Sequence, residues 1–182
     1  MTPQAIDRPS RPRPERRRRQ TGAPVTLVEV LVCGSAERGD EGAGIRALDQ
    51  LAEGVPTDVA VRIVGLLDID DLLAVTDGAG VVIVDTAVGI HPGLIVDLPL
   101  DGLVGRTDGL HPRSSHALEF AEVIGLAGLI RGHPMHGRVV VIGGTSFNHA
   151  GSLSGPVAAA LPAFRDAIVT AVDRARDAGR IA

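Results

Sequence analysis

The chain has 182 residues, a formal net charge of −4 at neutral pH, a pI near 5.8 and 45% hydrophobic residues. This length suffices for one well-buried domain and is too short for two ordinary ones. The acidic balance gives no general reason to bind nucleic acid, and no apolar run approaches the ~20 residues that a membrane span needs. A single cysteine, Cys33, excludes an internal disulfide and a multi-cysteine metal site, which fits a reducing, cytoplasmic setting.

The first two dozen residues differ in composition from the rest. They combine prolines with the arginine run Arg16–Arg19 and show no apolar periodicity, so they cannot bury enough surface to offset the entropy of ordering them. We therefore predict a disordered arm over residues 1–24 and a single domain over residues 25–182. The arm lacks the apolar region of a twin-arginine export signal, so export is not predicted. It is either a weak binding segment for an acidic partner or RNA or, as we favour, a solvated extension without function.

Deletion of residues 1–22 is accordingly expected to leave the melting temperature and the activity of the protein nearly unchanged, because this segment has no core-forming pattern. A thermal melt and an activity assay of the truncated chain check this expectation. A large drop in either quantity would show that the arm contributes to the folded domain.

From Val25 onward, apolar runs alternate with helical patterns. Strands are predicted at "VTLVEVLVCG", "DVAVRIVG", "GVVIVDTA" and "RVVVIGGT", and helices at "GIRALDQLAE", "DIDDLLAVT", "SSHALEFAEVIGLAGLI" and about residues 156–178. The turn signal His91-Pro92-Gly93 and the short spacing to "LIVDLPL" favour a hairpin, and therefore a mixed sheet. Strands that read as continuous Val/Ile runs between helices are typical of a sheet covered on both faces. The predicted fold is an α/β, three-layer α/β/α sandwich with a mostly parallel, mixed twisted sheet of about five strands.

In such a fold, ligands bind in the crevice beyond the carboxyl ends of the strands. The loops of interest therefore follow Val32, Val64, Val84 and Ile142. The first of them, within "CGSAERGDEGAGIRAL", is rich in glycine and leads into a predicted helix.

This first loop does not have the pattern of a phosphate site. It lacks the Gly-Lys-Ser/Thr ending of a P-loop and the G-x-G-x-x-G spacing, and its adjacent carboxylates, Asp40 and Glu41, would repel a phosphate. The loop suits a cation, because a helix N-terminus stabilises ionised Glu41 and the small neighbouring residues permit a close approach. The alternative is that Asp40 caps the helix and Glu41 is a solvated acid of the first turn.

A histidine occupies a comparable position later in the chain. In "RSSHALEFAEVIGLA", His116 lies at or next to the first turn of a helix, and Ser114 or Ser115 is a candidate N-cap. The positive end of the helix dipole disfavours imidazolium, so His116 is expected to be neutral and available as a metal ligand. A lone histidine in this position is otherwise usually a surface residue. Together with Glu41 it offers oxygen and nitrogen donors, which suit divalent metals such as nickel or zinc.

Four stretches together resemble one family, the nickel-iron hydrogenase maturation endopeptidases. "VLVCGSAERGDEGAG" resembles the strand and glycine-rich turn of the N-terminal signature, and "VVIVDTAVGIHPG" the central strand with its Asp and Pro-Gly turn. "SSHALEFAEVIGLA" is similar to the Ser-x-His helix start, and "VVVIGGT" followed by "SLSGPVAAAL" to the last strand, loop and helix. The resemblance extends in order over about residues 25–175.

The resemblance implies a phosphorylase/hydrolase-like fold and a definite activity. These enzymes remove a C-terminal extension from the hydrogenase large-subunit precursor once nickel is installed. They use the nickel of that precursor for recognition, without a standing metal of their own. Glu41 and His116 match two of the three metal-contacting positions of the family and are our candidate catalytic residues. Asp85 matches the central-strand Asp, which we interpret as structural or as a support for the ligands. The metal would either polarise the scissile carbonyl or activate water.

The sequence departs from the family pattern at two places. Where the family often has an Asn in the first turn, this chain has Ser35 or Ala36. The third metal-contacting residue is usually an Asp at the end of the second strand, where this chain has Gly65.

The nearest carboxylates to the missing ligand are Asp68, Asp70 and Asp71. We predict Asp68 as the third ligand, with Asp70 as the alternative, because a tight turn at Gly65 can bring Asp68 back to the strand end. Asp68 is equally well placed as the N-cap of the following helix.

Two functions of different classes follow from these observations. The first is an endopeptidase acting on a nickel-loaded hydrogenase large-subunit precursor. The second is a non-catalytic, chaperone-like relative that keeps the docking surface and has lost a ligand. A nucleotide or flavin binder is disfavoured by the missing phosphate motifs and by an aromatic content of 2%.

Overall fold

A computed structural model describes residues 27–50, 56–104, 115–149 and 151–179, and for residues 104, 115–120, 178 and 179 it describes the backbone only. The predicted arm, residues 1–24, lies outside the described residues. The described strands are β1 Val28–Cys33, β2 Val59–Gly65, β3 Gly80–Ala87, β4 Ile95–Pro99 and β5 Gly137–Gly143. The α-helices are α1 Ala43–Asp49, α2 Ile69–Leu73, α3 Asp101–Val104, α4 Ser115–Arg131 and α5 Gly155–Gly179, and a short 3₁₀ turn spans Gly39–Gly42.

The five strands form one sheet in the order β2-β1-β3-β5-β4. Strands β2, β1, β3 and β5 are parallel to their neighbours, and β4 runs antiparallel to β5. The carboxyl ends of the four parallel strands therefore share one edge of the sheet. The predicted five-stranded mixed α/β fold is confirmed.

The predicted hairpin between β3 and β4 is wrong, because β4 pairs with β5 and β5 lies between the two. The reason is burial. The apolar run of β5 is largely enclosed between two strands, whereas β4 is only partly buried and ends at Pro99, which has no N–H for a further ladder bond. A partly buried strand that ends in proline is suited to be the edge strand of a sheet.

Helices cover both faces of the sheet. On one face, side chains such as Val30, Val82 and Val84 pack with residues of α1 and α5. On the other, Leu31, Val81 and Ile83 pack with residues around α2, α3 and α4. Alternate residues of β1 and β3 thus point into two separate apolar layers, as the pleat of a strand requires.

Helix α5 is the only helix in the described part of the chain that is long and apolar enough, by length and composition alone, to cross a membrane. The same helix supplies the fully buried Phe164, Ile168 and Ala171 to the core beneath the sheet. This packing is that of a core helix in a folded domain.

Candidate metal-contacting site at the carboxyl end of the sheet

The loop after β1 turns back sharply beside the end of β2. Gly34 has φ +100°, and a Cβ at this position would lie 2.2 Å from the carbonyl oxygen of Glu41, so the turn requires glycine. The Gly34 N–H donates to the carbonyl of Gly65 at 2.7 Å. The acidic turn is thereby held against the carboxyl ends of two adjacent strands.

The Asp40 carboxylate is fully buried and binds a distant loop. One oxygen accepts the backbone N–H groups of Thr145 and Ser146 at 2.8 and 2.9 Å, and the other accepts that of Ser154 at 2.6 Å. The interpretation of Asp40 as the cap of α1 is wrong, because Gly42 occupies the N-cap of that helix. Asp40 instead joins the loop after β1 to the loop between β5 and α5.

These hydrogen bonds decide the charge state of Asp40. Burial acts to raise its pKa, but the backbone N–H groups of Thr145, Ser154 and Ser146 stabilise the ionised form and hold the pKa below its usual value of 3.8. Asp40 is therefore a buried carboxylate that stays ionised at neutral pH.

Acidification is expected to destabilise the protein through Asp40. Because the pKa is lower in the folded than in the unfolded state, the ionised carboxylate stabilises the fold fully above pH ~4, its unfolded pKa, and this contribution is lost as the pH falls through the folded pKa. Urea denaturation between pH 6 and pH 3 should show this loss in the wild type and a flatter profile in Asp40→Asn. At pH 6 the variant should be less stable by about 2 kcal/mol, the typical value of a hydrogen bond to a charged group. Equal slopes for the two proteins would contradict the assignment.

Glu41, the predicted metal-contacting residue, lies in the same turn and, unlike Asp40, is partly exposed to solvent. Its side chain is 25% exposed and forms an ion pair with Arg38 at 3.5 Å. The neighbouring Asp40 carbonyl accepts the hydroxyl of Thr86 at 2.8 Å, so the turn also contacts the end of β3. An accessible carboxylate on a turn with three anchors is a suitable oxygen donor for an incoming cation.

Asp85 lies at the carboxyl end of the central strand β3. It is half-buried, and its carboxylate accepts the N–H of Thr86 at 2.7 Å. By strand alternation its side chain points to the same face as Val81 and Ile83, the face that α4 covers.

Asp85 and Cys33 each follow the paired strand residues Val84 and Val32, so the two lie near each other. The pKa of the Cys33 thiol is raised, chiefly by burial and then by the negative charge of Asp85. Cys33 is a free, buried thiol, and its raised pKa disfavours the reactive thiolate.

Helix α4 brings His116 toward the same edge. Arg131, the last residue of α4, donates to the carbonyls of Leu72, Leu73 and Val75, close to the segment that enters β3. The C-terminal end of α4 thus lies at the amino end of the sheet. Its 17 residues rise about 25 Å, close to the length of an eight-residue strand, so its first turn is directed to the carboxyl end. The backbone of His116 is in that turn, and its side chain is outside the description.

The predicted third ligand, Asp68, is at the N-cap of α2. Asp68 and Asp71 form a capping box, in which the Asp71 carboxylate accepts the N–H of Asp68 at 3.1 Å. Asp70 is exposed on the same helix. Gly65 ends β2 with φ +68°, and no atom lies within 4 Å of a Cβ built there. The alternative role of Asp68 as a cap is thus realised, and its role as a ligand stays a prediction.

Across residues 27–50, 56–104, 115–149 and 151–179, no group of three or more His, Cys, Asp or Glu side chains is arranged to hold a metal ion. This finding applies to the described side chains, and that of His116 is not one of them. Glu41 and Asp85 are two carboxylates with described side chains at this edge.

Solved structures of hydrogenase maturation proteases have the same fold. The hydrogenase maturating endopeptidase HybD from E. coli aligns with a TM-score of 0.65 and 20% identity, over 81% of this chain and 92% of that one. The [NiFe] hydrogenase maturation protease HybD from Thermococcus kodakarensis aligns with a TM-score of 0.60 and 23% identity, over 81% and 98%. The hydrogenase 2 maturation peptidase from a Thaumarchaeota archaeon gives 0.55 and 24%, over 80% and 97%.

No protein-family profile and no curated protein sequence matches the chain. The solved structures confirm the fold that the resemblance of the four motifs implied, at sequence identities of 20–24%. The chain has the α/β fold of the hydrogenase maturation proteases, and its acidic turn lies at the carboxyl edge of the sheet.

Proposed function

We propose that the protein is an endopeptidase that removes the C-terminal extension of a nickel-loaded [NiFe]-hydrogenase large-subunit precursor. The nickel belongs to the substrate, so the protease contributes donors to it and needs no standing metal. The single buried thiol fits a reducing compartment, and we expect the protein to act in the cytoplasm with the precursor as its partner.

The observation that carries this proposal is the position of Glu41. Its accessible carboxylate lies at the carboxyl edge of a maturation-protease fold, on a turn anchored to β2, β3 and the loop after β5. The first turn of α4, with His116, is directed to the same edge. Glu41 and His116 would contact the nickel of the precursor and fix the scissile peptide beside it. Water would then add to the carbonyl carbon, the C–N bond would break, and a proton from that water would pass to the leaving amine.

Two carboxylates are candidates for the third donor of the proposed site. Asp68 is the residue that the spacing predicts, but its segment already serves the capping box of α2. We propose Asp85 as the stronger candidate, because it is half-buried at the end of the central strand, faces the layer of α4 and adjoins the strand residue Thr86 that contacts the Glu41 turn. Gly65 leaves open space beside this edge.

Substitution of the carboxylates separates the candidates. Asp68→Asn is expected to be nearly silent in stability, because Asn caps a helix about as well as Asp, and to leave processing within about twofold of the wild type. Asp85→Asn is expected to reduce processing by an order of magnitude or more. Initial cleavage rates of both variants and of Asp70→Asn, at equal folded fractions, provide the measurement. A larger loss of cleavage in Asp68→Asn than in Asp85→Asn would instead favour Asp68 as the third ligand.

The proposed activity itself is tested with purified protein and a large-subunit precursor. Incubation with the nickel-loaded precursor should reduce its mass by the C-terminal extension, whereas nickel-free precursor and the Glu41→Gln variant should give no loss. Intact-mass spectrometry measures both. An unchanged mass of the nickel-loaded precursor would reject the endopeptidase.

A second function is favoured by one observation. Gly65 lies at the position where the resemblance implies an Asp, and the neighbouring Asp68 is engaged at a helix cap. A chain that has lost a donor is suited to bind the precursor without cutting it, as a chaperone-like relative would. Stable, nickel-dependent binding without mass loss would establish this function instead.

A further inference from the structure

The buried carboxylate of Asp40 connects two loops that are far apart in the sequence. Its three hydrogen bonds reach Thr145, Ser146 and Ser154, which are 105, 106 and 114 residues away. All three donors belong to the loop between β5 and α5. Asp40 is adjacent in sequence to Glu41, the accessible carboxylate at the edge of the crevice.

The two loops also contact each other through their backbones. The Asp40 N–H donates to the Ser146 carbonyl at 2.7 Å, and Arg38 forms an isolated β-bridge with Gly151. Gly39 has φ +50°, and a Cβ on it would lie 2.4 Å from the carbonyl oxygen of Ser146. The approach is therefore so close that this position accepts only glycine.

The end of strand β3 also contacts Asp40 and the loop between β5 and α5. The Thr86 hydroxyl donates to the Asp40 carbonyl at 2.8 Å, and Thr86 is itself buried. A Cβ on Gly144 would lie 2.5 Å from the Thr86 methyl carbon and 3.2 Å from the Asp40 Cβ. Three segments thus meet around one side chain, with no room for a larger residue at the contact.

The chemistry of this cluster requires a carboxylate. Two oxygens accept three N–H groups, and an ionised carboxyl has only acceptors. An asparagine would keep one acceptor and would turn its own N–H₂ toward a backbone donor. It would therefore leave at least one buried N–H without a partner.

We propose that Asp40 is a positioning residue, which holds Glu41 and the loop after β5 as one preset wall of the crevice. The inference rests on the proposed function, because it assumes that this wall of the crevice binds the precursor. A carboxylate that is fixed before the substrate arrives is not reordered during binding, which favours productive contact with the nickel. Without the Asp40 carboxylate the turn keeps its backbone contacts with Ser146 and Gly151, but the three side-chain hydrogen bonds that fix it to the β5–α5 loop are lost.

If Asp40 only stabilised the fold, the loss of another buried carboxylate would reduce processing equally. Glu29 provides this comparison. Glu29 is also a buried carboxylate that accepts a backbone N–H, that of Thr76 at 2.8 Å, and it pairs with Arg62. It lies near the start of β1, away from the carboxyl edge. Glu29→Gln is therefore a matched control for the loss of a buried charge.

Hydrogen exchange followed by NMR is the first measurement, on the free full-length protein well below its melting temperature. In Asp40→Asn, the amide of Glu41, which donates to the Arg38 carbonyl at 3.0 Å, should exchange at least tenfold faster than in the wild type. Glu29→Gln should leave this rate within about twofold. Unchanged exchange at Glu41 in Asp40→Asn would overturn the proposal.

Processing of the nickel-loaded precursor is the second measurement, at equal folded fractions. Asp40→Asn should lower kcat/KM at least tenfold and Glu29→Gln by no more than twofold, and equal losses would overturn the proposal. If Asp40→Asn does not fold, Ser154→Pro decides, because proline has no N–H to donate to the Asp40 carboxylate, and it should shift both readouts in the same direction. Absence of cleavage by the wild type rejects the proposed function, while the exchange rates still decide whether Asp40 positions Glu41.

Discussion

Replacement of Glu41 by glutamine is expected to abolish processing of the nickel-loaded precursor while the fold stays intact. Glutamine keeps the volume of the side chain and removes its charge, and with it the anionic oxygen that binds a divalent metal. The side chain is partly exposed, and its one described ion pair, with Arg38, is at the surface. Surface substitutions of this kind change stability by less than ~0.5 kcal/mol. Cleavage rates and thermal melts provide the measurement.

The matched control for this variant is Glu37→Gln. Glu37 is in the same loop and is 76% exposed, and its described ion pair, with His149 at 3.8 Å, is at the surface. Its replacement removes one negative charge from the same region and should leave cleavage unchanged. Wild-type cleavage by Glu41→Gln would remove this residue from the site.

The second large effect is expected for His116→Ala, which should reduce processing at least tenfold. The substitution removes the one nitrogen donor assigned to the site, and the metal would be left under-coordinated. Alanine is a good helix former, so α4 should persist. Cleavage rates measured together with circular dichroism separate the loss of a ligand from the loss of the helix.

The same change at the opposite end of the helix is the control for His116. His133 follows α4 and is 48% exposed, and it lies 4.0 Å from the exposed Asp77 carboxylate. His133→Ala should process the precursor at the wild-type rate. An equally active His116→Ala variant would show that His116 is an ordinary surface residue.

Local patterns in the sequence were sufficient to predict most of the fold. The Val/Ile runs of β1, β3 and β5 predict buried strands because burial on both faces permits few other residues. The position of β4 could not be predicted, because its pairing depends on which strand needs the interior of the sheet, and the spacing from β3 carries no such information. The short helix α3 was also missed, since four residues are too few for an apolar period.

The position of Glu41 on an accessible turn of the candidate site was predictable from the sequence, and the environment of Asp40 was not. Glu41 follows from its position after a strand and before a helix, which is local information. The role of Asp40 depends on three backbone N–H groups more than 100 residues away, which no local pattern shows. The Gly/Ser-rich loop after β5 was the one available signal, because such loops present many N–H groups that need acceptors.

Because Cys33 is buried, the rate at which its thiol is alkylated reports local opening of the protein. Thiol reagents attack the thiolate, and the raised pKa and 4% exposure of Cys33 keep that form rare in the native state. Alkylation must therefore wait until the end of β1 separates from its neighbours. Since the sequence contains no second cysteine, the labelling rate counts these openings at one known residue, directly beside the acidic turn. The rate of local opening at the end of β1 can thus be measured in the unmodified protein, with and without a bound precursor.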